Sequence, residues 1–196
     1  MALTLSTSGS AAVAGQVIQV VTGFNTTTTY QVFQKRNQWS HVPGGLMCSF
    51  TPEAVGNKVY LEAKFLWGGF RGANESGGYD CAAGFRFAKL TPTKSWTTIS
   101  SPGGNVVPGS SGQNVVGCGN YRYAWDADTT NGNQQNEYMN YVDTIEEEGV
   151  HKYAVFWTCL YEGSRARTIM WNRAINYGNS YNPITTCSIV ATEVKV

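Results

Sequence analysis

Charge is scarce in this chain. Lys, Arg, Asp and Glu make up 14% of its 196 residues and leave a formal net charge of +1, where soluble globular domains carry about 25% charged residues. A surface made instead of Gly, Ser, Thr, Asn and Gln offers no basic footprint for a phosphate backbone, so no nucleic-acid partner is expected. Long apolar runs are missing too. No window approaches the roughly 18 apolar residues that cross a bilayer as a helix, which argues against membrane insertion. The segment from Met1 to Val13 holds no Lys or Arg and no continuous apolar stretch. It does not read as a secretory leader, despite the small Ala12-Val13-Ala14 triplet.

Paired cysteines and histidine motifs are also lacking. The five cysteines are Cys48, Cys81, Cys118, Cys159 and Cys187, with the closest two 28 positions apart. That spacing suits no zinc site. An odd count does not complete a disulfide framework, and Cys159 and Cys187 fall inside apolar strand patterns. The expectation is reduced, buried thiols and folding in a cytoplasm. His41 and His151 lie outside any catalytic motif, and each reads as a solvated polar residue, His41 in a loop and His151 at a strand start. No G-x-S-x-G elbow and no H-E-x-x-H occurs. The stretch Asp126-Ala127-Asp128-Thr129-Thr130-Asn131-Gly132, with Glu137 beyond it, has part of the spacing of a calcium loop. Its glycine comes one position late and no helices flank it, so a polar turn is the reading and neither metal nor cofactor is expected. Nothing brings any two of Asp126, Asp128, Glu137, Glu62 and Asp80 together as a glycosidase pair. The chain does not read as an enzyme.

What is present favours strands. Aromatics stand at 13%, Thr and Val are frequent, and 22 glycines are scattered among polar turns. The clearest signal runs from Lys58 to Trp67. Val59, Leu61, Ala63, Phe65 and Trp67 share one side, while Lys58, Tyr60, Glu62 and Lys64 share the other, which is the alternation of a half-buried strand. Tyr153, Val155, Trp157, Cys159 and Tyr161 alternate similarly, as do Cys187, Ile189 and Ala191 against Ser188, Val190 and Thr192. Further strands are expected at Val17–Val21, Tyr30–Gln34, Leu46–Phe50, Cys81–Leu90, Trp96–Ile99, Tyr138–Asp143 and Ala166–Trp171. The stretch from Ser100 to Gly119 reads as a long loop or a weak hairpin. About nine or ten strands with polar turns and no long helix give an all-β fold, an antiparallel β-sandwich or a barrel. Residues 1–15, rich in Ser and Ala, read as a flexible arm before one domain spanning 16–196.

One feature of this chain points to binding. Tyr121, Tyr123, Trp125, Tyr138, Tyr177 and Tyr181 lie in Asn- and Gly-rich surroundings, the usual company of adaptable binding surfaces. Loop aromatics that merely cover the ends of a sandwich would look the same.

Certain segments, in their order, resemble the β-sandwich modules of tail-fibre and other virion-appendage proteins of bacteriophages, especially those of marine bacteria and cyanobacteria. The resemblance opens with Gly15-Gln16-Val17-Ile18-Gln19-Val20-Val21. It continues through Gly45-Leu46-Met47-Cys48-Ser49-Phe50-Thr51-Pro52 and Asn57-Lys58-Val59-Tyr60-Leu61. It closes with Tyr153-Ala154-Val155, Trp171-Asn172-Arg173 and Ser188-Ile189-Val190-Ala191-Thr192-Glu193-Val194. The similarity brackets residues 15 to 194, with a freely departing middle from Gly68 to Gln135. It implies a jelly-roll-like sandwich that assembles as a homotrimer without catalytic residues. It also implies a virion location after folding in the host cytoplasm, with the N-terminal arm docking onto other virion proteins. The leading expectation is a short tail fibre or fibre tip that contacts a glycan or protein of the host surface. A capsid decoration or head-fibre protein is the alternative, and a lectin-like carbohydrate-binding domain a third.

Overall fold

The structure, a computed structural model, describes residues 14–33, 39–71, 80–99, 121–125, 134–159, 167–172 and 186–196. Every regular element among them is a strand. In chain order these are β1 (Val17–Asn25), β2 (Thr29–Phe33), β3 (Ser40–His41), β4 (Met47–Phe50), β5 (Lys58–Arg71) and β6 (Asp80–Leu90). They continue with β7 (Thr97–Thr98), β8 (Tyr121–Trp125), β9 (Gln134–Thr144), β10 (His151–Cys159), β11 (Arg167–Trp171) and β12 (Cys187–Val194).

The register merges these segments into a simpler plan. β3 and β4 follow one another along the same edge of β10, and β7 and β8 along the same edge of β6. β12 and β11 lie end to end beside β5, and β1 and β2 flank them in turn. Two four-stranded antiparallel sheets result. The first runs β1/β2, β12/β11, β5, β9, and the second runs β3/β4, β10, β6, β7/β8. Numbering the merged strands one to eight gives the orders 1-8-3-6 and 2-7-4-5, which is the jelly-roll arrangement. The expected sandwich is therefore shown, with more segments than the nine or ten anticipated. β3 and β8 were not anticipated: Ser40–His41 fell in an expected loop, and Tyr121–Trp125 was read as aromatics in Asn- and Gly-rich surroundings.

Period-two alternation sets the faces. Along β5, Val59, Leu61, Ala63, Phe65 and Trp67 are all buried, while Tyr60, Glu62 and Lys64 are exposed, as the sequence indicates. The inner face of the first sheet is stacked in rows across β9, β5, β12 and β1. Tyr141, Leu61, Ala191 and Val21 form one row, and Met139, Ala63, Ile189 and Gly23 the next. Opposite them lie Val155 beside Phe87 and Trp157 beside Phe85 from the second sheet. At one end the core turns aromatic. Phe65 packs on Phe85 and Trp171 at centroid distances of 4.8 and 5.2 Å, and Trp157 meets Trp171 edge-on at 5.8 Å. Such pairs add to plain area burial through ring quadrupoles. Among the cysteines with described side chains, Cys48 and Cys187 are buried in this core, and burial pushes the Cys48 thiol up to about 12. A thiol held protonated behaves as a small hydrophobe.

At Gly23 the backbone of β4 comes closest to β1. A Cβ there would overlap the Met47 carbonyl and crowd Ile189. Because backbone cannot yield as a side chain can, Gly23→Ala is expected to cost about 3 kcal/mol. Thermal unfolding checks this, with a fall in Tm on the order of 6–12 °C for a domain of this size.

Candidate functional site

The apolar rows of the first sheet end in polar ones. At one end the inner row reads Asp143, Val59, Glu193, Gln19 across the four strands. Here the loops after β4, β6 and β9 gather. The Glu193 carboxylate is buried and accepts from Gln19 Nε2 at 2.5 Å, Asn57 Nδ2 at 2.7 Å and the Glu53 amide at 3.0 and 3.2 Å. Gln19 Nε2 also donates to the Thr51 carbonyl at 2.8 Å. Glu193 thus ties the loop between β4 and β5 to the strand behind it. Its donors among the described residues are neutral, so the charge is stabilised by hydrogen bonds rather than by a counter-ion.

Asp143 works across the sandwich. Lys89 Nζ on β6 lies 3.1 and 3.0 Å from its two oxygens, and the Tyr153 hydroxyl on β10 donates to it at 2.8 Å. Lys89 and Tyr153 are register neighbours on the second sheet, so one carboxylate on the first sheet pins both. Burial raises the Tyr153 phenol well above its usual range, and the Asp143 charge raises it further. Outside this core pair the network becomes wet. Lys94 reaches Glu146 at 3.1 Å and Thr93 donates to Glu147 at 2.6 Å. Hydrogen bonds depress both carboxyls, through Lys94 for the exposed Glu146 and through Thr91 and Thr93 for the half-buried Glu147.

His151 departs from expectation. It is buried, and its Nε2 donates to the Glu147 carbonyl at 3.0 Å. The strand begins one row inside the core, so its first residue is not a solvated one. His41 sits on β3 rather than in a loop. It packs in an aromatic cluster on the outer face of the second sheet, 4.8 Å from the Trp96 ring and 4.3 Å from Phe156, and burial lowers its pKa.

Of the six aromatics marked out by the sequence, the four that are described lie on two different sheets. Tyr121, Tyr123 and Trp125 occupy alternate positions of β8 instead of a loop, in register with Gly84, Ala82 and Asp80 of the second sheet. Tyr138 lies on β9 of the other sheet. Tyr177 and Tyr181 lie outside the described residues, as do Asp126, Asp128, the stretch 100–120 and the arm up to residue 13. Glu137, the far residue of the calcium-like spacing, is buried and accepts from the Trp67 indole at 3.2 Å. Among the described residues no group of three or more His, Cys, Asp and Glu side chains could hold a metal ion.

The candidate site is the outer face of the first sheet, which bears Tyr138. Its rows across β9, β5, β12 and β1 read Thr144, Lys58, Val194, Val17, then Val142, Tyr60, Thr192, Val20. Next come Asn140, Glu62, Val190, Thr22 and finally Tyr138, Lys64, Ser188, Phe24. Exposures of 48% for Val17, 60% for Phe24, 47% for Tyr60, 44% for Tyr138 and 45% for Val142 make this face unusually apolar for a wet one. Its few charges are locally engaged. Lys58 donates to the Thr144 hydroxyl at 2.7 Å, Tyr138 donates its hydroxyl to Glu62, and the Lys64 ammonium lies 5.6 Å from the Tyr138 ring centroid. Tyr138 was marked by its composition. Tyr60, Val17 and Phe24 could have been found as the outward partners of the β1 and β5 alternation, but a lone exposed apolar residue carries no signal until its neighbours across strands are known.

A scan against protein-family models and a search of curated proteins gave no match to this chain.

Two outcomes are expected of these contacts. Asp143→Ala leaves the Lys89 ammonium and the Tyr153 hydroxyl without their shared acceptor and is expected to destabilise by about 3 kcal/mol, read from the midpoint of denaturant unfolding. Donation to the Glu62 carboxylate raises the Tyr138 pKa from its ordinary value, since that bond favours the protonated phenol. An NMR titration of ring-labelled tyrosine should find Tyr138 ionising at higher pH in the wild type than in Glu62→Ala.

Proposed function

We propose that this chain is a non-enzymatic structural protein of a bacteriophage particle, a short tail fibre or fibre tip that acts as a homotrimer and contacts the host surface. The observation that carries this reading is the bare outer face of the first sheet. The row Val142, Tyr60, Thr192, Val20, with Val17 and Val194 beside it, forms a largely aliphatic strip between Lys58 and Glu62 of β5. Such a patch on a soluble protein marks a protein-protein contact. In a trimer this face would meet a second surface of the next subunit, one heterologous contact repeated three times around the axis. The jelly roll supports the reading by analogy of fold alone, being common in viral shells and in lectins. The buried carboxylates described above support it as well, because their hydrogen bonds tie loops and sheets together and give a scaffold rather than a reactive cleft. The resemblance of the opening and closing segments to phage appendage modules supports a place on a phage particle, onto which residues 1–15 would dock.

Size-exclusion chromatography with light scattering tests the assembly. Three chain masses are expected at micromolar concentration, and a clean monomer would count against a fibre. Tyr60→Glu places a charge in the patch without touching the core, so it is expected to yield a monomer at an unchanged per-chain fold, checked by circular dichroism. Immunogold microscopy of purified particles places the protein. Gold on the head would replace the fibre with a capsid decoration role.

A further inference from the structure

On the outer face the assembly patch lies toward the Asp143 end. The other end holds a cleft of about 340 Å³, lined by Lys64, Phe65, Asn136, Glu137, Tyr138 and Thr186. It opens at a break in the sheet. β12 pairs with β5 up to Lys64 and β11 takes over from Trp67 onward, so among the described residues Phe65 and Leu66 have no ladder partner on that side, where the Asn172 amide donates to the Leu66 carbonyl. From Tyr60 to Lys64 is four strand residues, about 13 Å, which sets the cleft apart from the patch.

We infer that this cleft is a binding site for a neutral or amino sugar, one ring or two, stacked on Tyr138. The ring is half exposed and is already fixed. Its hydroxyl donates to Glu62, two residues from its cross-strand partner, and the Lys64 ammonium sits 5.6 Å from the ring centroid. An aromatic anchor held in place before binding loses little freedom when a ligand arrives. Around it stand groups of both hydrogen-bonding senses. Lys64, Asn136 and Thr186 can donate, and Asn136 and Glu62 can accept. A pyranose presents the matching pattern, an apolar C–H face with a rim of hydroxyls that donate and accept. The volume lies at the small end of the roughly 300–1,000 Å³ typical of ligand sites, which suits one or two sugar rings and not an extended chain lying along the sheet.

Charge narrows the class. Among the described residues that line the cleft Lys64 is the one cation, while Glu137 lines it and Glu62 holds its aromatic wall. Two carboxylates against one ammonium disfavour an anion, so phosphate, sialic acid and uronic acids are poor ligands and a neutral or amine-bearing sugar is preferred. The site names a ligand for host contact but does not depend on the trimer or on the particle.

Saturation-transfer NMR on the full chain tests it with methyl glycosides of glucose, galactose, mannose and N-acetylglucosamine, and with sialyllactose as the acidic comparison. Saturation is expected on the C–H face of at least one neutral glycoside. Tyr138→Ala should weaken that binding about tenfold, the worth of one good aromatic contact. Tyr138→Phe keeps the ring and loses only its tether to Glu62, so it should weaken binding by less. Both substitutions are at an exposed position, and an unchanged Tm confirms that the fold is intact. Absence of transfer from all four neutral glycosides, equal transfer in Tyr138→Ala, or a stronger response from sialyllactose would each overturn the inference. Chain mass in solution and position on the particle are read separately, so either reading can fail without the other.

Discussion

Asp143 is the group on which the geometry of the sandwich turns. Two sheets that meet only through apolar side chains can slide, because hydrophobic burial has no direction. A buried carboxylate that accepts from Lys89 and Tyr153 on the facing sheet does have direction. Sliding either sheet along the other would carry Asp143 away from Lys89 and Tyr153 and leave a charge in the core without its donors. The same inner row contains Glu193, which fixes the β4–β5 loop through Asn57, Glu53 and Gln19. Register between the sheets and closure of the loop end are therefore set by one polar row, with the aliphatic rows beside it supplying most of the burial.

That arrangement accounts for how little charge the chain carries and where it puts it. Glu137, Asp143 and Glu193 all point inward from the first sheet and all are buried. Carboxylates usually keep a surface soluble, yet three of this chain's few are spent on internal hydrogen bonds. The outer face is left with Lys58, Glu62 and Lys64 along β5, each engaged by a neighbour on β9. The apolar exposure of Val17, Tyr60 and Val142 follows from the same allocation, since the residues that would have covered this face with charge are not there.

Much of this was legible in the sequence, and the limits have physical causes. The alternation from Lys58 to Trp67 gave the faces of β5 correctly, because its residues obey one period from Lys58 to Phe65. It fails only at Leu66, which lies on the outward parity and is buried. Just there the chain returns, with the Asn172 amide donating to the Leu66 carbonyl at 2.8 Å. Asn172 takes a φ of 55°, a left-handed conformation that asparagine tolerates better than most residues. His151 was misread because strand composition locates a strand but not the depth of its first residue. Glu193 could be seen as the end of an alternating run, and its parity with Cys187, Ile189 and Ala191 already placed it inward. What the sequence could not supply were its donors, which come from positions 136 to 174 residues away. The candidate face was hidden for the same reason, being assembled from single apolar residues on four strands.

β5 carries all of these roles at once. Its inward residues are the centre of the core, and it is the strand that β9, β12 and β11 all pair with. Its outward residues divide the external face, Tyr60 in the aliphatic patch and Lys64 in the cleft. A long central strand is a stiff support, and its ladder partners hold it on both sides. Groups mounted on it keep their spacing, which suits one surface for joining copies and another for holding a ligand without either distorting the other. The division also sets a constraint on assembly. A contact centred on Tyr60 can extend toward Val17 and Val194 freely, but spreading four residues the other way would cover Tyr138 and close the cleft. A subunit interface on this face that left the cleft open would therefore lie over the Asp143 end, where Asp143 ties β9 to Lys89 and Tyr153 of the facing sheet.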